Sequence, residues 1–348
     1  MTTLRRDPVD LLRTLIGAQR QGEAAVQRLV AEAAQALGCT VETVRYRPGD
    51  VPMVAEFASD RAIDLGERAS VVARYKGRGA GRSVIFFAHP DGEPVAGLDA
   101  WQRDPFAGAV EGGRIYGWGV ADDLSGVAIL VEGLAAVLAA GQAPAGDVIL
   151  ASTPSKRHAR GVAALLHGGL RADAAVYLHP AESGIGLREI KAFAPGMLEF
   201  RITVDGCPPD TNEISHAAFA HRAVNPLDKL WLVYRALQVL DAQRGARVRH
   251  PTLEAAIGRS TNLLVSRLST EGETGLSRIA PRAVLTGCVT FPPQESLAGV
   301  QAELDAAVQG AAAGDDWLRQ HPPRLQWLSG VAAAEVALEH PLYVTVAD

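Results

Sequence analysis

Two short segments carry the residue types that metal or acid–base chemistry needs. The first is His89-Pro90-Asp91, at the end of the apolar run Val84 to Ala88. An imidazole in that place can ligate a metal while a nearby carboxylate fixes its tautomer and raises its basicity. Alone, the pattern also fits an ordinary loop histidine. The second is Tyr116-Gly117-Trp118-Gly119-Val120-Ala121-Asp122-Asp123, with Ser125-Gly126 opening a helix. A carboxylate is favoured just before a helix N-terminus. Asp122 therefore reads either as a functional anion or as a plain cap, and Asp123 shares the second role. A dinucleotide site at Gly117 and Gly119 is excluded, because the third glycine and the preceding strand are not correctly placed.

The elements around these segments alternate. Asp7-Pro8 has the form of an N-cap followed by proline at the first helical position, and Leu11, Leu12 and Leu15 continue at helical spacing. A second helix is predicted over Glu23 to Leu37, stopping at Gly38. Val71 to Tyr75 and Val84 to Ala88 read as strands, the latter a continuous apolar run that suits burial on both faces. A helix from Gly126 to Ala140, a strand from Val148 to Ala151, a helix from Gly161 to His167 and a strand from Ala174 to Leu178 follow. This order predicts an α/β domain with a largely parallel central sheet and flanking helices. In such sheets, active sites lie at the carboxyl ends of strands, where His89 falls.

The texture changes after Arg188. Leu198, Phe200, Ile202 and Val204 alternate with Glu199, Arg201, Thr203 and Asp205, a strand with one wet face. A long helix is predicted with Leu227, Leu230, Trp231, Tyr234 and Leu237 on one stripe. Strands over Leu263 to Leu268 and Ala283 to Phe291, then a helix over Leu297 to Val308, complete an inserted α+β unit. From about Trp317 the chain is expected to return to the first domain. The predicted division is 1–188 with 309–348, interrupted by 189–308.

Composition bounds the rest. Of 348 residues, 48% are apolar and 21% charged, enough for two ordinary soluble domains. A net charge of -5 argues against nucleic-acid binding by phosphate neutralisation. Cys39, Cys207 and Cys288 are far apart and form no CxxC pair, which suits a reducing cytoplasm and neither a disulfide framework nor a thiolate cage. Met1 to Leu15 has no apolar signal core, and the apolar stretch Val127 to Ala140 is too short to span a bilayer. A cytoplasmic protein with neither membrane nor nucleic-acid partner is expected.

The two segments, with Trp101-Gln102-Arg103-Asp104-Pro105-Phe106 and the hairpin Glu111 to Gly117 between them, stand in a telling order. Strand, HxD, W-x-x-DPF, hairpin and G-x-G-x-x-D before a helix resembles the zinc-dependent amidohydrolase and exopeptidase family that includes succinyl-diaminopimelate desuccinylase, acetylornithine deacetylase, aminoacylase and enzymes of carboxypeptidase G type. Ser215 to Pro226 is similar to the H-V-A-Y-P-H-L-A-x-N-P segment of the desuccinylase branch. The resemblance implies a catalytic domain interrupted by a lid domain that dimerises, hence a homodimer acting on a small-molecule substrate. It implies His89 as a metal ligand, Asp91 as its orienting partner and Asp122 as a bridging carboxylate. It implies His216 as the lid histidine that stabilises an oxyanion and Asn225 as a lid residue near substrate. Arg259 and Asn262 match, more loosely, positions that anchor a substrate carboxylate.

The sequence also departs from that pattern. Where the family carries a general-base glutamate and a ligand glutamate, this chain has Ser155 and Lys156. Where it carries the acid of an E-P pair, this chain has His179-Pro180, and imidazole is a good zinc ligand. The family's C-terminal histidine ligand has no counterpart before Asp348; His340, before Pro341, matches a helix start instead. Both private ligands of one zinc are thus lost, while His89, Asp122 and His179 remain for the other. One zinc ion rather than two is expected, other divalent metals being compatible, with the Lys156 ammonium in the space of the missing ion. Lys156, His158, Asp123 and Glu182 are candidates for the base. The expected activity is hydrolysis of an amide bond in a small N-acyl amino acid or dipeptide-like substrate. The alternative is a non-catalytic relative that binds a small ligand on the same scaffold.

Overall fold

The computed structural model describes residues 7–59, 63, 65–179, 189–212, 216–272 and 275–348. The chain divides into two units, Met1–Met53 with Ile63–Ile190, and Val54–Ala62 with Lys191–Asp348.

In the first unit, α1 (Pro8–Ala18) starts where its residues require: Asp7 Oδ1 accepts from Val9 N at 3.0 Å and Pro8 takes the first turn. α2 (Glu23–Ala36) ends just before Gly38, whose φ of 86° reverses the chain. β1 (Thr40–Tyr46) follows, and β2 (Glu56–Ala58) belongs to the other unit. Then come β3 (Arg68–Tyr75), β4 (Val84–Ala88), the hairpin β5 (Ala109–Glu111) and β6 (Arg114–Tyr116), α3 (Ser125–Ala139), β7 (Val148–Ser152), α4 (Gly161–His167) and β8 (Ala174–Tyr177). The sheet order is β1-β3-β7-β4-β8. β7, β4 and β8 are parallel, while β3 runs antiparallel to both β7 and β1, so the sheet is mixed.

Alternate side chains serve its two faces. Val71, Ala73, Val148 and Leu150 pack with Leu15 of α1, Val30 of α2 and Leu130 of α3. Val72, Ile149 and Ala151 pack the other way, with Leu165 of α4. Every residue of β7 is buried, because helices cover both faces.

The second unit contains β9 (Phe193–Ala194), β10 (Gly196–Asp205), α5 (Pro226–Arg247), α6 (Pro251–Ile257), β11 (Asn262–Glu271), β12 (Arg282–Phe291), α7 (Leu297–Ala313), α8 (Asp316–Gln320), β13 (Arg324–Val331), β14 (Ala334–Glu335) and α9 (Pro341–Ala347). Its antiparallel sheet has the order β11-β12-β10-β13-β2. Leu198, Phe200, Ile202 and Val204 face Leu230, Val233 and Leu237 of α5 and Leu304 of α7. The expected stripe on α5 therefore splits: Leu227 and Trp231 point to solvent. Among the described residues, no helix is long and apolar enough to cross a membrane.

The expected return of residues 309–348 to the first domain is corrected by this sheet. β10 is a central strand, and β13 supplies its second partner by pairing from Thr203↔Arg324 to Met197↔Val331. Leu325 and Trp327 join the core of the second unit, and Trp317 Nε1 donates to Asp205 O at 3.0 Å. Segment 54–62 was also unforeseen there; β2 is three residues long, too short for a periodic signal.

Asp205 clips three of these strands. It accepts from Arg324 Nη2 of β13 at 3.0 Å and from Arg282 Nε of β12 at 2.8 Å. The Arg324 bond foremost, then Arg282, holds its carboxyl at about 2, below the ordinary 3.8. A depressed folded value stabilises the fold above the unfolded value, and that contribution is lost as pH falls from 3.8 through about 2. Solvent screening keeps it modest. Asp205→Asn is expected to melt lower than the parent at neutral pH, with the difference closing near pH 2. Melting curves across that range test it; a difference independent of pH would refute it.

Candidate metal centre

The parallel strands β7, β4 and β8 end side by side, and their next residues form the site. His89 follows β4 directly, Ser155 and Lys156 follow β7, and His179 follows β8. The period of two in neighbouring parallel strands also stacks their rings. Phe87 lies on Tyr177 with centroids 4.8 Å apart, and His89 lies on His179 at 6.1 Å. Asp122 arrives from the turn Val120–Leu124 ahead of α3.

Asp122 divides its two oxygens. Oδ1 lies 2.8 Å from His89 Nε2 and 3.2 Å from His179 Nε2. Oδ2 forms an ion pair with Lys156 Nζ. The ligand atoms of His89, Asp122 and His179 lie within 4.8 Å of one another. His89 Nδ1 is 2.9 Å from the main-chain oxygen of Asp91, so it donates there, and in a neutral ring Nε2 carries the lone pair. A lone pair facing a carboxylate oxygen at 2.8 Å needs a proton or a cation between them. Two imidazoles and one carboxylate are a composition that zinc accepts, with a position left open. The residues present therefore fit a divalent metal ion.

The orienting contact expected of the Asp91 carboxylate is made mainly by its carbonyl, since Oδ1 stands 3.4 Å from His89 Nδ1. The carboxylate instead accepts from Ser155 N at 2.9 Å and Lys156 N at 2.8 Å. It thereby fixes the loop that carries Lys156. Asp123 is buried behind His89, where Oδ2 accepts from His89 N at 3.1 Å and Oδ1 has no partner among the described residues.

Burial alone would lower the His89 imidazole, but the bonded Asp91 and the charge of Asp123 hold it above its ordinary value. Burial works to raise Asp122; Lys156 and the histidines more than reverse it, and the carboxyl ends lowered. Burial raises Asp123 to about 6.

Residues 85–262 match the peptidase family M20/M25/M40. That is just over half of the 348-residue chain. The chain belongs to this family. It is 32% identical over 181 residues to the succinyl-diaminopimelate desuccinylase of Azoarcus sp. (strain BH72), covering 50% of this chain and 45% of that protein. The chain thus spans about half the length of the curated relatives it matches. Among solved structures, an M20 family metallo-carboxypeptidase from Sulfolobus solfataricus superposes with a TM-score of 0.68 at 13% identity, over 97% of this chain and 82% of that one. Human carnosine dipeptidase 1 superposes with a TM-score of 0.63 at 15% identity, over 97% and 80%. At such identities the superpositions speak for the fold.

Of the residues singled out in the sequence, the M20 chain brings His89, Asp91, Asp122, Lys156 and His179 together. His158 sits half-buried in the turn Lys156–His158 at a φ of 57°, outside the ligand triad. Glu182, Pro180, Arg188 and Ser215 lie outside the described residues. His216, Asn225, Arg259 and Asn262 belong to the second unit. There, His216 Nδ1 accepts from Ala218 N at 3.1 Å and Asn225 Oδ1 caps α5 through Leu227 N at 3.2 Å. Arg259 Nη2 is bonded to Asp241 Oδ1 at 2.7 Å. Sequence reading missed Tyr177, the last residue of β8, whose ring centroid lies 5.4 Å from that of His179. It also missed Arg68, for which no local pattern gives a signal.

Gly126 lets α3 approach the site. A Cβ there would lie 2.0 Å from Leu178 O and 2.4 Å from Asp123 Oδ1. Alanine gains roughly 1 kcal/mol of helix propensity, but overpacking against a main-chain oxygen costs about 1–3 kcal/mol or more. Gly126→Ala is therefore expected to lower the melting temperature and weaken uptake of a divalent metal together. Calorimetry and a chelator-competition titration check this; an unchanged pair of values would refute it.

Proposed function

We propose that this M20 protein is a metal-dependent hydrolase that cuts an amide bond in a small N-acyl amino acid or dipeptide-like substrate, using one zinc ion held by His89, Asp122 and His179. The observation that carries this reading is the division of Asp122, with two imidazoles on one oxygen and the Lys156 ammonium on the other. The ammonium takes up the second oxygen, which a second ion would otherwise need. The desuccinylase name of the curated relatives supports the class of bond.

When bound, zinc supplies Lewis-acid polarisation of the amide carbonyl. The chain's own residues do the rest. Against the raising effect of burial, Lys156 leads the neighbours that hold the Asp122 carboxyl below its ordinary value. The contact of His216 Nδ1 with Ala218 N places the ring proton on Nε2, which makes it a donor suited to a developing oxyanion. Asn262 is exposed, and its carboxamide is unengaged among the described residues, so it is the readiest of the lid residues to meet a substrate carboxylate. Arg259 would first have to leave Asp241, and Asn225 would have to uncap α5.

Two features support the homodimer. β11 is an edge strand with Leu264 and Leu268 exposed, and Trp231 stands half-exposed on α5. The free cysteines Cys39, Cys207 and Cys288 accord with a cytoplasmic setting.

A second reading, a small-molecule binding protein without turnover, is favoured by one observation. Asp122 is the single carboxylate of the ligand triad, and it is already committed to Lys156. Loss of a positioned acid–base group commonly removes about two to four powers of ten in rate.

Metal analysis separates these readings. About one zinc per chain is expected, lost in His89→Ala and in His179→Ala, together with cleavage of N-acyl amino acids. Two ions would contradict the role given to Lys156. No zinc, with ligand binding intact, would favour the binding protein. For the dimer, Leu264→Asp with Trp231→Asp is expected to halve the sedimenting mass; an unchanged mass would remove β11 and α5 from the interface.

A further inference from the structure

Asp91 is buried at 6% side-chain exposure, so its charge needs a compensating cation held in a fixed place. Arg68, at the first position of β3 and itself 16% exposed, supplies one: Nη2 lies 3.3 Å from Asp91 Oδ2. The same Nη2 is paired with Glu23, the first residue of α2. Arg68 is thus held by the start of one helix and the start of one strand. Through Asp91 it reaches both halves of the candidate metal centre. The Asp91 main chain receives His89 Nδ1 at 2.9 Å, and its carboxylate receives Ser155 N and Lys156 N at 2.9 and 2.8 Å.

We infer that Arg68 is a positioning residue for the metal centre: it fixes Asp91, and Asp91 in turn fixes the aim of His89 and the loop that delivers Lys156. The inference rests on the zinc reading above and adds a residue that touches neither metal nor substrate. Outer-shell groups of this kind commonly alter metal affinity by about 10- to 100-fold. Removing Arg68 leaves a buried carboxylate without this cation, and the least costly relaxation is for Asp91 to turn towards water. The amides of Ser155 and Lys156 are bonded to that carboxylate and must follow it, and His89, bonded to the Asp91 main-chain oxygen, loses its aim as the same turn shifts.

A route for testing this lies beside the residue. A cavity of about 490 Å³ is lined by Glu23, Arg45, Glu67, Arg68 and Asp91. A free guanidinium ion is far smaller than this space, so it can enter where the Arg68 side chain has been cut away. Glu23 and Asp91 remain there to receive it.

The experiment is a zinc titration against a competing chelator, run on the full chain, on Arg68→Ala and on Glu23→Gln, with melting curves in parallel. Arg68→Ala is expected to bind zinc at least about tenfold more weakly while remaining folded. Low millimolar guanidinium chloride, but not sodium chloride at equal ionic strength, is expected to restore most of that loss. Glu23→Gln, which frees one end of Arg68, is expected to fall between the two. Parental affinity in folded Arg68→Ala overturns the inference while leaving the zinc reading intact. So does a loss that guanidinium does not repair. Absence of zinc binding in the parent chain overturns both.

Discussion

A single carboxylate at the mouth of the first unit's sheet faces two imidazoles and one ammonium, and the site is organised by how it divides itself among them. Asp122 turns Oδ1 to the two imidazoles and Oδ2 to Lys156. Each oxygen is committed, so neither imidazole can move far without leaving an unpaired polar atom in a half-buried place. The burial that would raise the Asp122 carboxyl is outweighed by its neighbours, which keep it in the ionised form that every partner needs.

The fold supplies this arrangement through strand parallelism. Strands that run the same way end at the same side, so β7, β4 and β8 deliver the loop of Lys156, His89 and His179 within reach of one another. At the strand ends and just beyond them the rings line up in two pairs, Phe87 with Tyr177 and His89 with His179, each stacked across neighbouring strands. Packing of α3 depends on the lack of a side chain at Gly126, where main chain and carboxylate approach too closely for a Cβ. Asp123, buried beside that approach, carries an unsatisfied oxygen as its cost. That oxygen, Oδ1, lacks a partner among the described residues, and the carboxyl rises to about 6.

What the sequence disclosed follows from the range of the forces involved. Local signals were legible: the Asp7 cap, the stop at Gly38, the buried run of β7 and the alternation along β10 are each decided within a few residues. His89 and Asp122 stood out locally, beyond a strand and before a helix, whereas His179 was legible only through the resemblance to the family. Long-range pairing was not. β13 joins β10 across more than a hundred residues, and nothing local distinguishes a strand that returns to the first sheet from one that completes the second. β1 was missed because as an edge strand it is largely exposed and carries no apolar run. Arg68 was invisible for the same reason as β13: its partners Glu23 and Asp91 lie far away along the chain on both sides.

On the proposed reading, Lys156 is more than a filler of space. A metal ion in that position would exchange with solvent and leave Asp122 uncompensated whenever it departed. A tethered ammonium does not leave, so Asp122 keeps its charge and its aim whether or not zinc is present. The ammonium has only hydrogen-bond donors and no vacant orbital, however, and it cannot hold and acidify a water as a second divalent ion can. The substitution therefore favours a permanently organised site over a more reactive one.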